Sequence, residues 1–163
     1  MRATLESHLG SREVAHVVYG AIIGLTLIVA VEQHPPRAAV MAAWLGLTGV
    51  TVALAEVYSE VIGVETRERH RVTRHQFAHL LVQGWAVTLG VAFPAVFFLL
   101  AVVHVIELDT AFTLARWSGL GLIGFYGYWA ARFAGAPVPR ALAQAAAVAA
   151  IGGIVIAFKA LIH

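Results

Sequence analysis

Long apolar runs separated by short polar connections dominate the pattern of this chain. Five runs are long enough to cross the hydrocarbon core of a bilayer, which takes about 20 residues of helix. Lipid-exposed backbone must satisfy its own hydrogen bonds, so uninterrupted runs rich in Ala, Leu and Gly favour helices over a barrel. The pattern predicts an all-α polytopic membrane protein with a single domain over residues 1–163, a bundle of five transmembrane helices. The predicted helices cover about 12–31, 38–63, 75–106, 110–133 and 140–162.

Proline and glycine positions refine this prediction. Pro94 lies inside the third run, where it removes a backbone donor and clashes with the preceding turn, so we expect a kink there. Small residues allow helices to approach closely, and Gly20-x-x-x-Gly24 predicts such a contact either within the subunit, which we favour, or between subunits. Other glycines with suitable spacing are Gly119, Gly121, Gly124 and Gly127.

Composition supports a membrane protein. The chain is 60% hydrophobic and only 12% charged, with a mean hydropathy of +0.82, whereas soluble domains carry about 25% charged residues. Without cysteine, disulfides, iron–sulfur clusters and thiol catalysis are excluded. The pI of 9.4 comes mostly from arginines in connections, a pattern that suits a lipid bilayer with anionic head groups rather than nucleic acid.

The distribution of Lys and Arg predicts orientation, because cytoplasmic connections carry an excess of both. One side of the predicted bundle collects Arg2, Arg12, Arg67, Arg69, Arg71, Arg74, Arg132 and Arg140. The other side collects Arg37, Arg116 and Lys159. We therefore predict a multi-pass inner-membrane protein with its N-terminus in and its C-terminus out. The long side chains of Arg116, Arg132 and Lys159, near helix ends, are expected to snorkel to the interface.

Ionisable and amide side chains gather at the predicted cytoplasmic ends of three helices. Placing an ionisable group in hydrocarbon costs roughly 2.5–3.5 kcal/mol on insertion scales. We therefore expect such a group either to pair with another polar group or to serve a function. Residues three or four apart share a helix face, and a rise of about 1.5 Å per residue places these side chains at similar depths. We predict one polar layer in the cytoplasmic half of the bilayer. Its members are Glu13, His16, Glu56, Glu60, His75, His79 and Gln83.

The layer fits more than one chemistry. Carboxylates with imidazoles suit divalent iron, manganese or zinc, and the candidate metal ligands are Glu56, Glu60, His79 and His16. Without metal, two carboxylates one turn apart should share a proton, which His16 or His79 could exchange. The predicted ion or proton pathway is Glu56, Glu60, His79, His16 and Gln83, with Glu13 and His75 at its rim. In a structural alternative, Glu56 and His79 lock the second helix to the third.

Residues 53–60, Ala-Leu-Ala-Glu-Val-Tyr-Ser-Glu, close the second predicted helix before a charged stretch. This segment resembles the vacuolar iron transporter family, which has a similar run of small residues, Glu, Tyr and Ser at that place. The resemblance covers under a tenth of the chain. It implies a dimer of five-helix, N-in and C-out subunits that exports Fe²⁺ or Mn²⁺ against protons, with Glu56 and Glu60 handling the cation near its cytoplasmic entry. The overall composition is similar to that of small polytopic membrane proteins of high-GC bacteria.

Enzyme motifs are missing from the sequence. It has no H-E-x-x-H, G-x-S-x-G, phosphate-binding loop or dinucleotide fingerprint, and Glu13-x-x-His16 is its only E-x-x-H pair in the cluster. We therefore predict no enzyme, although an intramembrane metalloenzyme stays open as a third reading. The leading prediction is a homo-oligomeric transporter or channel that moves a proton or divalent metal cation. The alternative is a structural or accessory subunit of a larger membrane complex, in which the Glu/His cluster is a helix–helix lock.

Overall fold

The computed structural model describes residues 13–161, and in this part of the chain all regular structure is helical. The all-α prediction is confirmed. The helices are α1 (Glu13–Val31), α2 (Ala38–Glu68), α3 (Arg74–Ala92), α4 (Ala95–Val102), α5 (Leu108–Phe133) and α6 (Val138–Leu161).

Two of these helices are individually long and apolar enough to cross a membrane, namely α1 over Val14–Val31 and α2 over its whole length. Helices α3 and α4 together form a third candidate crossing, bent by 51°. These two or three spans support membrane association. Five crossings and the N-in, C-out orientation remain predictions.

The predicted third helix is two helices, because the chain bends at Pro94. Helix α3 ends at Ala92 and α4 begins at Ala95, and Pro94, which is buried, lies between them. Its ring prevents an unbroken helical ladder, so the kink expected there is confirmed. Helix α4 ends at Val102, earlier than the predicted residue 106, and a left-handed residue follows at His104 (φ 58°).

The second predicted helix extends beyond its apolar run. Helix α2 continues from residue 63 to Glu68 and ends at Arg69, which is left-handed (φ 54°) and donates its backbone N–H to the carbonyl of Glu65 over 3.0 Å. The five added residues include Glu65, Arg67 and Glu68, and Glu and Arg are good helix formers in water. Hydropathy predicted only the apolar part of this helix.

Helices α1 and α3 pack at very short range through glycine. A Cβ atom on Gly20 would overlap the carbonyl oxygen of Val87, and one on Gly90 would overlap that of Val17. Glycine is the residue that permits such an approach of two backbones. The structure therefore confirms a close contact at Gly20 within the subunit.

The other glycines differ in how closely a neighbouring helix approaches them. A Cβ on Gly24 would lie 3.0 Å from the carbonyl oxygen of Val91, which extends the α1–α3 contact. Gly127 of α5 lies close to Ala145 of α6. Within the described residues Gly121 and Gly124 have nothing within 4 Å of an added Cβ, so the close packing expected at these two positions is not found there.

The core lies where α1, α2, α3, α4 and α5 meet. Ile28, Met41 and Leu45 are fully buried in it. The bend at Pro94 carries α4 between α2 and α5, where Phe98 meets Phe112 edge to face with ring centroids 4.9 Å apart. This geometry is favourable for aromatic pairs.

Candidate functional site

An imidazole–carboxylate pair joins α1 to α2. Nε2 of His16 lies 3.3 Å from Oε1 of Glu56, and the two side chains are 16% and 28% exposed. His16 lies one turn into α1, and Glu56 lies three turns before the end of α2. Apart from this ion pair, α1 and α2 make few direct contacts with each other. The ion pair brings together two members of the predicted polar layer.

Gln83 lies at the same level on the third helix of the site. Gly20 faces Val87 and Gly24 faces Val91, so α1 and α3 run parallel with a constant offset that sets His16 level with Gln83. Gln83 also precedes Val87 by one turn and therefore shares the face of α3 that packs on α1. Its side chain is only 7% exposed, and it is the one buried polar or charged side chain in the described part of the protein.

Three other predicted members that the structure describes, Glu60, His75 and His79, form no ion pair with His16 or Glu56. His75 and His79 are exposed on α3, and neither forms an ion pair with a described residue. Glu60 is 44% exposed and lies 3.8 Å from Nη2 of Arg67. Glu13 is the first residue of α1, and its side chain lies outside the described part of the structure. The geometry therefore centres the site on His16, Glu56 and Gln83.

A cavity opens beside the pair. It has a volume of about 220 Å³ and is lined by Ala15, His16, Tyr19 and Glu56. Tyr19 is 47% exposed and adds a hydroxyl to the imidazole and the carboxylate. The cavity lies between α1 and α2, so a water molecule or a small cation that entered it would meet both ionisable groups.

Metal ligation was predicted for Glu56, Glu60, His79 and His16. Among the residues that the structure describes, no group of three or more His, Asp or Glu side chains is placed to hold a metal ion. His16 and Glu56 supply two donors of the types that divalent transition metals accept. A metal at this site remains a prediction, and any further ligand would have to come from outside the pair.

A second polar contact, which the sequence reasoning did not identify, lies toward the opposite end of α1. Nη1 of Arg116 on α5 donates to Oε1 of Glu32 over 2.9 Å, and both side chains are about one-quarter exposed. The prediction that Arg116 merely snorkels is therefore incomplete, because its guanidinium has a carboxylate partner. The sequence offered one signal for this pair, which is that Glu32 and Arg116 have opposite charges and lie at the same predicted membrane face. The two residues are 84 positions apart, so the sequence does not show that they meet.

The Arg116–Glu32 pair should stabilise the fold. We expect Arg116→Gln or Glu32→Gln alone to lower the free energy of unfolding by about 1–3 kcal/mol, because each removes a charge-assisted hydrogen bond between side chains that are about three-quarters buried. The double variant should lose less than the sum of the single losses. Thermal unfolding of the four proteins in detergent measures this coupling. Strictly additive losses would show that the contact contributes no stability.

Compared with models of known protein families, with curated protein sequences and with solved structures, the chain has no match. The resemblance of residues 53–60 to the vacuolar iron transporter family remains a prediction.

Proposed function

We propose that this protein is a membrane transporter or channel that moves a cation through the site formed by His16 and Glu56. The observation that carries this proposal is the 3.3 Å contact between an imidazole and a carboxylate at the wall of an open cavity. Ionisable residues that face a cavity within membrane segments mark ion and proton pathways. Imidazole is the side chain whose charge changes most readily between pH 5 and 8.

A proton is the cargo that this pair serves best. Two adjacent titratable groups can accept a proton and pass it on, whereas a divalent metal requires more donors than the described pair provides. Fe²⁺, Mn²⁺ or Zn²⁺ is the second cargo class. In that case Glu60 and His79, each about one turn from a member of the central site, would serve as outer ligands on the approach.

The pathway needs a membrane arrangement that completes it. We propose that α1, α2 and the bent pair α3–α4 are three of five crossings and that α5 and α6 are the other two. The ends of α1 and α2 that carry the site, together with the arginine-rich connection after α2, then face the cytoplasm. The cavity lies at the surface of the subunit between α1 and α2, which supports a homo-oligomer in which a second copy covers it.

A flux measurement on the unmodified protein tests this function. The purified protein is reconstituted in liposomes that contain a pH-sensitive dye, and a pH gradient is imposed. In a second set the liposomes contain a dye that responds to Mn²⁺ or Fe²⁺. We expect proton equilibration faster than in protein-free liposomes. Rates equal to those of protein-free liposomes in both sets would contradict the proposal.

One observation favours a second function, that of a structural or accessory subunit of a larger membrane complex. The His16–Glu56 contact bridges two helices that share few other contacts, which is what a helix–helix lock would do. This function predicts no flux and a loss of thermal stability when the pair is broken. Variants of His16 and Glu56, measured for both proton flux and thermal stability, therefore distinguish the two functions.

A further inference from the structure

The connection between α2 and α3, residues 69–73, is held in shape by two acidic side chains from the last turn of α2. Oε1 of Glu65 accepts the backbone N–H of Val72 over 3.3 Å. The carboxylate of Glu68 lies 2.9 Å from Nε2 of His70 and accepts from the amide of Gln76 over 3.3 Å.

The capping box at the start of α3 completes this internal network. The side chain of Gln76 accepts the backbone N–H of Thr73 over 2.9 Å, and the backbone N–H of Gln76 donates to the hydroxyl of Thr73 over 3.3 Å. Such reciprocal bonds fix the first turn of a helix. The connection is therefore preorganised before any partner binds.

Four arginines in the connection or at the helix ends beside it take no part in this network. Arg69, Arg71 and Arg74 are exposed, and none of their side chains has an ion pair or hydrogen bond with a described residue. Arg67 is 71% exposed, and its contact with Glu60 is long, at 3.8 Å. Because Glu65 and Glu68 are engaged within the connection while the guanidinium groups remain available, its outer surface is positively charged. We call Arg67, Arg69, Arg71 and Arg74 the arginine loop.

The depth of the arginine loop relative to the apolar surface fits the head-group layer of a bilayer. Exposed apolar side chains continue to Ile62 on α2 and begin again at Phe77 on α3. Arg67 follows Ile62 by about 8 Å of helix rise, and Arg74 precedes Phe77 by about 5 Å. The polar head-group layer is roughly 5–8 Å thick on each side of the hydrocarbon. The guanidinium groups at both ends of the loop thus lie at the level of lipid phosphates.

We propose that the arginine loop is a binding site for the phosphate groups of anionic phospholipids. Guanidinium groups recognise phosphate through paired, charge-assisted hydrogen bonds, and basic residues beside a membrane surface attract anionic lipids. The site goes beyond cation movement. Lipid binding requires that the helices cross a membrane, but it uses no residue of the His16–Glu56 pair. The lipid site can therefore be absent while cation movement is present, and the reverse also holds.

Competitive lipid binding to the purified full-length protein tests the site. The protein in mild detergent is incubated with equal amounts of phosphatidylglycerol and phosphatidylcholine, and the lipids that remain bound are counted by native mass spectrometry. We expect the wild type to retain phosphatidylglycerol preferentially. Arg71→Gln combined with Arg74→Gln should weaken that retention about 10- to 30-fold, because each basic residue near an anionic surface contributes roughly fivefold.

A matched control distinguishes lipid binding at the arginine loop from attraction of lipid by the net charge of the protein. Arg37→Gln combined with Arg140→Gln removes the same charge from exposed positions outside the arginine loop, and lipid retention should fall much less than in the double variant of the loop. Equal losses in the two double variants would overturn the proposal. If the glutamine variant does not fold, Arg71→Lys with Arg74→Lys keeps the charge and should bind more weakly than the wild type, since lysine lacks the paired donors. Unchanged retention in the lysine variant would then count against the site.

Two further ligands test whether the arginine loop binds a lipid, a soluble anion or a protein. Inorganic phosphate at millimolar concentration should not displace phosphatidylglycerol, because the free anion lacks the acyl chains that keep a lipid beside the loop. Displacement would reassign the site to a soluble anion. An acidic peptide that binds while phosphatidylglycerol does not would reassign it to a protein partner. Either result overturns the lipid site.

Discussion

Gly90→Ala lowers the free energy of unfolding of this protein by about 1–3 kcal/mol, the usual cost of overpacking a close contact. The added Cβ would overlap the carbonyl oxygen of Val17 and would lie 2.8 Å from the backbone nitrogen of Ala21. Both atoms belong to the backbone of α1, so no side-chain rotation can relieve the overlap, and α1 must move away from α3. Thermal unfolding in detergent should show a melting temperature several degrees below that of the wild type.

The same substitution at an open position is the control. Gly121→Ala and Gly124→Ala place a Cβ where no described atom lies within 4 Å, and alanine is favoured over glycine inside a helix by about 0.5–1 kcal/mol. Both variants should be as stable as the wild type or slightly more stable. A melting temperature for Gly90→Ala equal to that of these controls would contradict the α1–α3 contact.

A double variant sharpens the test. Gly20→Ala acts on the same interface, because its Cβ would overlap the carbonyl oxygen of Val87. One separation of the two helices relieves both overlaps, so Gly20→Ala with Gly90→Ala should cost less than the sum of the single losses. Residues in contact are where additivity is expected to fail. Fully additive losses would place the two glycines in independent environments.

Much of the fold could be predicted from the sequence because its signals are local. The apolar runs located the helices, Pro94 located the bend, and Gly20-x-x-x-Gly24 located a close contact. The apolar run placed the end of α2 at residue 63, because residues 65–68 are polar and hydropathy gives no signal for a helix that continues through them. Gly121 and Gly124 were predicted to pack closely from spacing alone, yet which face of α5 meets a neighbour depends on the arrangement of all the helices.

The candidate site could be predicted in part. Rise per residue and helix direction were enough to group His16, Glu56 and Gln83 in one layer. The partner of Glu56 could not be deduced, because helix periodicity does not say which helices are neighbours across the layer. The structural alternative paired Glu56 with His79, whereas the structure pairs it with His16. The contact between Arg116 and Glu32 was missed for the same reason.

Glu56 is the residue whose substitution should affect transport most, if the protein has the proposed function. Glu56→Gln should reduce proton flux in liposomes to the rate of protein-free liposomes. Glutamine has nearly the shape of glutamate, and its amide oxygen can still accept a hydrogen bond from His16, but an amide neither carries the charge nor exchanges the proton of a carboxylate. Thermal stability should change by no more than about 1 kcal/mol, since the hydrogen bond is retained.

The control is a carboxylate outside the site. Glu107 is exposed in the connection before α5, and Glu107→Gln should leave flux unchanged. Glu60→Gln should have a smaller effect than Glu56→Gln, because Glu60 is exposed and does not reach the pair.

His16→Gln provides an independent measurement on the same pair. It preserves a hydrogen-bonding amide beside Glu56 but removes the imidazole, the group that would exchange a proton with the carboxylate, so proton flux should fall well below that of the wild type. Flux in Glu56→Gln equal to that of the wild type would exclude a transport role for the pair. If no protein shows flux and Glu56→Ala, which removes the contact with His16, lowers thermal stability, the pair is instead a lock between α1 and α2. These outcomes are distinguishable because transport requires a proton to move through the pair, whereas a lock requires only the contact between the two side chains.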